Sequence, residues 1–225
     1  MTPLPDELAL LRGPLLRRLQ GFEVRPRPGG PAVLRRAAVA LVVLDEGPGA
    51  QVRGLPVPPQ WSARPAVLLT RRAATLRRHA NQWALPGGAM DEGEAAEAAA
   101  LRELHEETGL ALAPEAVLGR LDDYVTRSGY AITPVVVWGG AVPALAPNPQ
   151  EVASVHRIRL QELMRDDAPI LNRIPQSEHP VLRMPVGASW IAAPTAAILY
   201  QFREVGLAGR DTRVAHFEQP VFAWK

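Results

Sequence analysis

The stretch GAMDEGEAAEAAALRELHEETGL, residues 88–110, constrains the fold more than any other part of this chain. It opens on a glycine-rich loop and runs into a segment dense in Ala, Leu and Glu, residues that lose little on entering a helix. The pattern predicts a helix over 93–108, with Gly109 where a left-handed C-terminal cap belongs. Glu103, Glu106 and Glu107 fall at i, i+3 and i+4, so such a helix places three carboxylates on one face. Like charges at that spacing weaken a helix unless something positive lies among them. A divalent cation, which prefers several oxygen ligands, is the simplest remedy. Arg102 is adjacent and suited to brace a carboxylate through a bidentate pair. Glu94, near the helix start, is favoured by the helix dipole and suited to support the ligands from behind. A glutamate-rich face taken alone is ordinarily just solvated; the whole spaced pattern is what points to chemistry.

The rest of the chain alternates helical and strand signals. Leucines at helical spacing predict an amphipathic helix over 5–19, broken near Gly13-Pro14. The Pro- and Gly-rich segment 25–31 reads as a linker. Residues 36–44 are a continuous apolar run of strand length, and AVLLT at 66–70 is a second strand. Further strands are expected at 116–126, 130–138 and 151–159, and a helix at 194–205 with Pro194 in its first turn. Strands interleaved with helices indicate an α/β fold. Trp83 and Trp190 read as core packing.

Composition narrows the chemistry. The chain has no cysteine, which excludes disulfides, thiolate metal sites and cysteine nucleophiles. A metal must then be held by carboxylates, histidines or backbone oxygens, which points to hard cations such as Mg²⁺ or Mn²⁺. A formal charge of +2 is too small to argue for nucleic acid as a partner, and none is expected. No apolar run approaches the ~18 residues that span a bilayer. The N-terminus lacks a signal-peptide core, so a cytoplasmic protein is expected.

Gly88, Glu94, Arg102-Glu103-Leu104, Glu106-Glu107 and Gly109-Leu110 satisfy every fixed position of the Nudix box, and the chain resembles the Nudix hydrolase superfamily. That resemblance implies an α/β/α sandwich with a mixed sheet and a loop–helix–loop metal site for Mg²⁺ or Mn²⁺. It assigns Glu103, Glu106, Glu107 and the Gly88 carbonyl as metal ligands, with Arg102 and Glu94 orienting them. The implied reaction is substitution at phosphorus, catalysed by positioning and charge stabilisation. Which carboxylate serves as general base is left open.

Upstream, Leu69, Thr70, Arg72, Ala73, Arg77, Pro86, Gly87 and Gly88 resemble the motif of the coenzyme A diphosphatase branch. Asn81 stands where that motif has Gly, and Leu85 where it has Phe. The likeness extends loosely through residues 121–136, Asn148 to Val152 and Thr195-Ala196. It implies cleavage of coenzyme A or an acyl derivative into 4′-phosphopantetheine species and adenosine 3′,5′-bisphosphate. Arg72, Arg77 and His79 would form a basic entrance for the substrate's phosphates, and Glu151 would reach the metal site late in the sequence. The two departures favour another substrate, such as a nucleotide sugar, ADP-ribose or a nucleoside triphosphate. A Nudix domain that binds ligand without turnover is the reading from a different class, and the complete set of box carboxylates speaks against it. Expected boundaries are an N-terminal helix and linker at 1–34, a hydrolase domain at 35–206 and a tail at 207–225 packed on or extending it. Homodimers are common in the family, so a homodimer is compatible with the resemblance.

Overall fold

The apolar run at 36–44 is the middle of β1 (Arg35–Gly47). Ala38, Ala40, Val42 and Leu44 enter one core and Leu41 and Val43 the other. With no face left for water, the run is continuously apolar rather than alternating. The computed structural model describes residues 7–25, 34–74 and 81–221. In it β1 is flanked by antiparallel β2 (Ser62–Arg72) and parallel β7 (Tyr130–Gly140). On β2 lie the two-residue β3 (Trp83–Ala84) and β8 (Val152–Arg159), both antiparallel. β4 (Gly87–Ala89) pairs with the start of β1, and β5 (Val117–Arg120) and β6 (Tyr124–Val125) pair with β7. The sheet is therefore mixed.

Helix α2 (Ala96–Thr108) covers one face through Ala96, Ala99, Ala100 and Leu104. The other face is covered by α1 (Glu7–Gln20) and α4 (Thr195–Phe202), which contribute Leu8, Leu15, Leu19, Leu199 and Phe202 to the larger core. The result is an α/β/α sandwich. A short helix, α3 (Leu160–Leu163), follows β8 directly. A second, antiparallel sheet of β9 (Ile170–Ile174), β10 (Ser177–Val186) and β11 (Ser189–Ala192) joins the α4 side through Leu182, Met184, Val186 and Ile191. Among the described residues no helix is long and apolar enough to cross a membrane.

Several expectations need correction. Helix α1 runs through Pro14 without a break. A mid-helix proline costs about 3 kcal/mol, but three fully seated leucines return about 1.5–3 kcal/mol each. Arg18 also fastens the helix by donating to the Gly206 and Leu207 carbonyls at 3.0 and 2.7 Å. The strand expected at 116–126 is two short strands divided at Leu121–Asp123. The helix expected to 205 leaves α-geometry after Phe202 and finishes as a π-turn over Arg203–Leu207. Trp190 is 39% exposed, with the Arg183 guanidinium 4.1 Å over its ring, so it is not a core residue. The second sheet was not anticipated.

Candidate active site

The loop before α2 is held against the central strand. Ala40 N–H donates to the Pro86 carbonyl at 2.8 Å, and Ala38 and Ala37 pair with Gly88 and Ala89. This seats the backbone of Gly88 directly under the helix. A Cβ there would lie 2.4 Å from Oε1 of Glu103, so only glycine lets that carboxylate rest on the loop. At the far end of the helix Gly109 has φ 72° and its N–H returns to the His105 carbonyl, the expected left-handed cap. The next carbonyls are taken by a distant loop: Ala146 N–H donates to Thr108 and Asn148 N–H to Glu107, at 2.8 and 2.9 Å. The sequence marks Asn148 only as part of a resembling stretch and Ala146 not at all, because backbone donors leave no residue signature.

Arg102 organises the exposed half of the site. Its Nε and Nη2 grip both oxygens of Glu94 at 3.0 Å, the bidentate geometry that guanidinium and carboxylate favour. Nη1 reaches Glu103 at 2.8 Å and Glu106 at 3.3 Å, and Nη2 also reaches the Ala89 carbonyl at 3.2 Å. Glu94 in turn accepts from Asp91 N–H at 2.9 Å, and Arg102 holds its carboxyl below the usual range. Three carboxylates thus converge, but on an arginine, and they are Glu94, Glu103 and Glu106.

Glu107 faces inward. It is 4% exposed, and loss of water pushes its pKa up to about 8; Arg72 opposes the rise, and Glu103 and Glu151 add to it. Burial likewise raises Glu103, against the pull of Arg102 and with repulsion from Glu106 and Glu151. Arg72 lies in this group with its Nε buried and without a hydrogen-bond acceptor. Glu151 stands immediately before β8, where its carbonyl accepts Ala73 N–H at 2.8 Å. The structure therefore brings Arg72, Glu103, Glu107 and Glu151 into one electrostatic neighbourhood. Arg77 and His79 lie outside the described residues.

Among the described residues no three carboxylate or imidazole groups stand ready as a ligand set; Arg102 holds oxygens of Glu103 and Glu106 that a cation would need. The donors nonetheless suit a hard divalent ion. All are oxygens, the Gly88 backbone is open beneath Glu103, and two partly or wholly buried carboxylates lack full charge compensation.

The comparisons agree with this architecture. The NUDIX domain family matches residues 34–176. A protein of Cronobacter sakazakii described as an uncharacterized Nudix hydrolase NudL is 45% identical over 115 residues, covering 48% of this chain and 57% of that protein. Its counterpart in Citrobacter koseri is 39% identical over 151 residues, covering 63% of this chain and 67% of its own length. The chain thus spans between about half and two thirds of the curated relatives it matches. A MutT/nudix family protein from Enterococcus faecalis shares the fold, with a TM-score of 0.50 at 19% identity over 80% of this chain and 65% of that one. A glycine loop under a carboxylate-bearing helix, a mixed sheet between helical layers and a family match over most of the chain lead to one conclusion: this protein belongs to the Nudix family.

Proposed function

We propose that the chain hydrolyses the phosphoanhydride of a nucleoside diphosphate-linked substrate, and that coenzyme A or an acyl-coenzyme A is the preferred one. Water adds to one phosphorus, the P–O–P bridge breaks, and the products are 4′-phosphopantetheine (or its acyl form) and adenosine 3′,5′-bisphosphate. The observation that carries the hydrolase reading is the Glu103 carboxylate resting on the Gly88 backbone beside the buried Glu107. Glu103, Glu106, Glu107 and the Gly88 carbonyl would hold Mg²⁺ or Mn²⁺. When bound, the ion neutralises the diphosphate and lowers the pKa of water. Arg102 and Glu94 fix the rotamers of Glu103 and Glu106, so the site is positioned before substrate arrives. Arg72, half-buried, supplies a positive charge beside Glu107.

Two physical details support the coenzyme A reading. Asn81, which replaces a glycine of the branch motif, has φ 58°. Asparagine is the side-chain-bearing residue that tolerates this left-handed region best, so the replacement keeps the backbone path. Leu85, which replaces a phenylalanine, is 4% exposed and sits in the larger core, so an apolar anchor is kept as well. The proposal also includes a cytoplasmic setting, residues 35–206 as the hydrolase domain, and a small-molecule rather than nucleic-acid partner.

The test is product analysis with coenzyme A and Mg²⁺ or Mn²⁺, beside dephospho-coenzyme A, ADP-ribose and a nucleotide sugar. Adenosine 3′,5′-bisphosphate released faster than any comparison product is the expected result. Cleavage of only another compound would retain the carboxylate argument and discard the reading of residues 68–88. Glu106→Gln is expected to reduce turnover by more than the roughly 10–100-fold that loss of an outer partner of a metal ligand costs, with ligand binding retained.

A further inference from the structure

On the sheet face turned away from α2, a cavity of about 350 Å³ opens between β2, β8, the loop leaving β1 and the β10–β11 turn. The alternation of β2 explains its place. Val67 and Leu69 enter the core on the α4 side, and Arg71 continues that row. Across the strand pair, His156 stands opposite Leu69 and Ser154 opposite Arg71, while Val155 between them packs on the α2 side. The polar side chains of the wall come from Gln51, Arg53, Arg71, Trp83, Ser154, His156 and Ser189. Among the described residues no carboxylate lines it.

The state of these groups is unusual for a plain surface dent. Arg71 is half-buried, its guanidinium lies 3.8 Å over the Trp83 ring, and it donates to the Asn81 carbonyl at 2.8 Å. It makes no ion pair with a described carboxylate, unlike Arg102, Arg157, Arg159 and Arg213. Burial without that compensation lowers its pKa. Trp83 is 8% exposed, and its Nε1–H is buried with no acceptor, a donor that costs free energy while unpaired. Two of the acceptors nearby, the Ala50 carbonyl and His156 Nε2, are already used. The Ala50 carbonyl, 2.6 Å from His156 Nδ1, can only accept, so Nδ1 carries the proton. Nε2 then accepts from Ser154 Oγ at 2.7 Å, which leaves a neutral imidazole in the wall. Burial, with Arg71 nearby, keeps His156 in that state. The described lining carries two guanidinium groups and no opposing negative charge, which favours an anion over a cation.

We propose that this cavity is a binding site for a phosphomonoester or a comparable compact dianion, with Arg71 and Arg53 as its grip and Trp83 as its floor. Arginine is suited to such an anion because its fork pairs with two oxygens at once. The volume is at the small end of the about 300–1,000 Å³ typical of small-molecule sites, so the anion and part of the group that carries it fit. The dianion has two chemical sources: a phosphomonoester carried by the substrate itself, or a free phosphate-type effector.

The experiment uses the full chain treated with a chelator, so that the carboxylate site carries no metal and makes no phosphate contact through one. Inorganic phosphate is titrated into the millimolar range while the indole N–H resonance of Trp83, assigned with Trp83→Phe, is followed. A saturable shift that is lost or weakened at least about tenfold in Arg71→Gln, equivalent to about 1.4 kcal/mol, is expected. Arg53→Gln, an exposed position, should weaken it as well and guards against a folding defect. No shift in the parent, or the same shift in both variants, would overturn the proposal. This arm is independent of the hydrolase reading. A second arm rests on that reading and separates the sources: Arg71→Gln raises KM for coenzyme A more than for dephospho-coenzyme A if the anion belongs to the substrate. An unchanged KM ratio with the phosphate shift intact in the parent assigns the cavity to a free anion.

Discussion

Asn81 holds a backbone conformation that most side chains avoid, at φ 58°, and its N–H closes a turn onto the Arg72 carbonyl at 3.1 Å. Its carbonyl also receives Arg71. A residue so placed links the two arginines of this strand end. Asn81→Gly is expected to be tolerated, whereas Asn81→Ala should lower stability by about 1–2 kcal/mol, the cost of a Cβ in the left-handed region. Denaturant unfolding of the two variants checks this, and equal loss in both would show that the side chain rather than the backbone matters. The sequence showed Asn81 as a departure from a motif; only the dihedral angle shows that the departure is conservative. Arg71 and Arg72 were likewise indistinguishable as letters. The strand turns one toward Trp83 and the other toward Glu107, and which faces which depends on pairing partners far along the chain.

At the scale of elements, α2 has two separate tasks. Its apolar side, with Leu104 fully buried, fixes the helix on the sheet. Its acidic side is held by Arg102. Arg102→Lys keeps the charge but cannot make the contacts to Glu94, Glu103, Glu106 and Ala89 together. Turnover and Mn²⁺ affinity, the latter read by electron paramagnetic resonance, should fall about 10–100-fold while the melting temperature barely moves. A large drop in melting temperature instead would make Arg102 a structural staple.

The elements that could be read in the sequence are those whose pattern is local. β1 is apolar throughout because both faces are buried, and α2 carries its own cap and periodicity. β9 was not legible because Leu171, Asn172 and Arg173 are exposed, so its burial pattern carries no alternation to read, and its partner β10 has only a short buried run. The acidic site was legible for the same reason as α2: its ligand candidates lie within twenty residues of one another. Glu151 and the loop donors Ala146 and Asn148 come from elsewhere and were visible only as resemblance or not at all.

At the scale of the molecule, the ends of the described chain are sewn to the sheet's far side. Asp122 accepts from Arg25 N–H, Gln201 and Arg213, gathering three distant segments. Tyr124 donates to the Phe217 carbonyl at 3.0 Å, and Arg127 pairs with Glu218. That pairing holds Glu218 below the usual carboxylate pKa. A carboxyl depressed in the folded state adds stability that is present above its unfolded pKa and lost as the pH falls through the folded value. Melting temperature should therefore fall on acidification below about pH 4.5, and Glu218→Gln should flatten part of that slope. An unchanged slope would mean that other carboxylates set the acid limit.

The adjacent arginines of β2 carry a lesson for evolution and for engineering. Because successive side chains leave a strand on opposite faces, position 71 lines the cavity and position 72 lies beside Glu107. Libraries confined to positions 71, 154 and 156 would vary what the cavity accepts without touching a residue of the acidic box. With the roles proposed above, selection can change the preference for a ligand's anionic group while the carboxylates on the other face stay as they are.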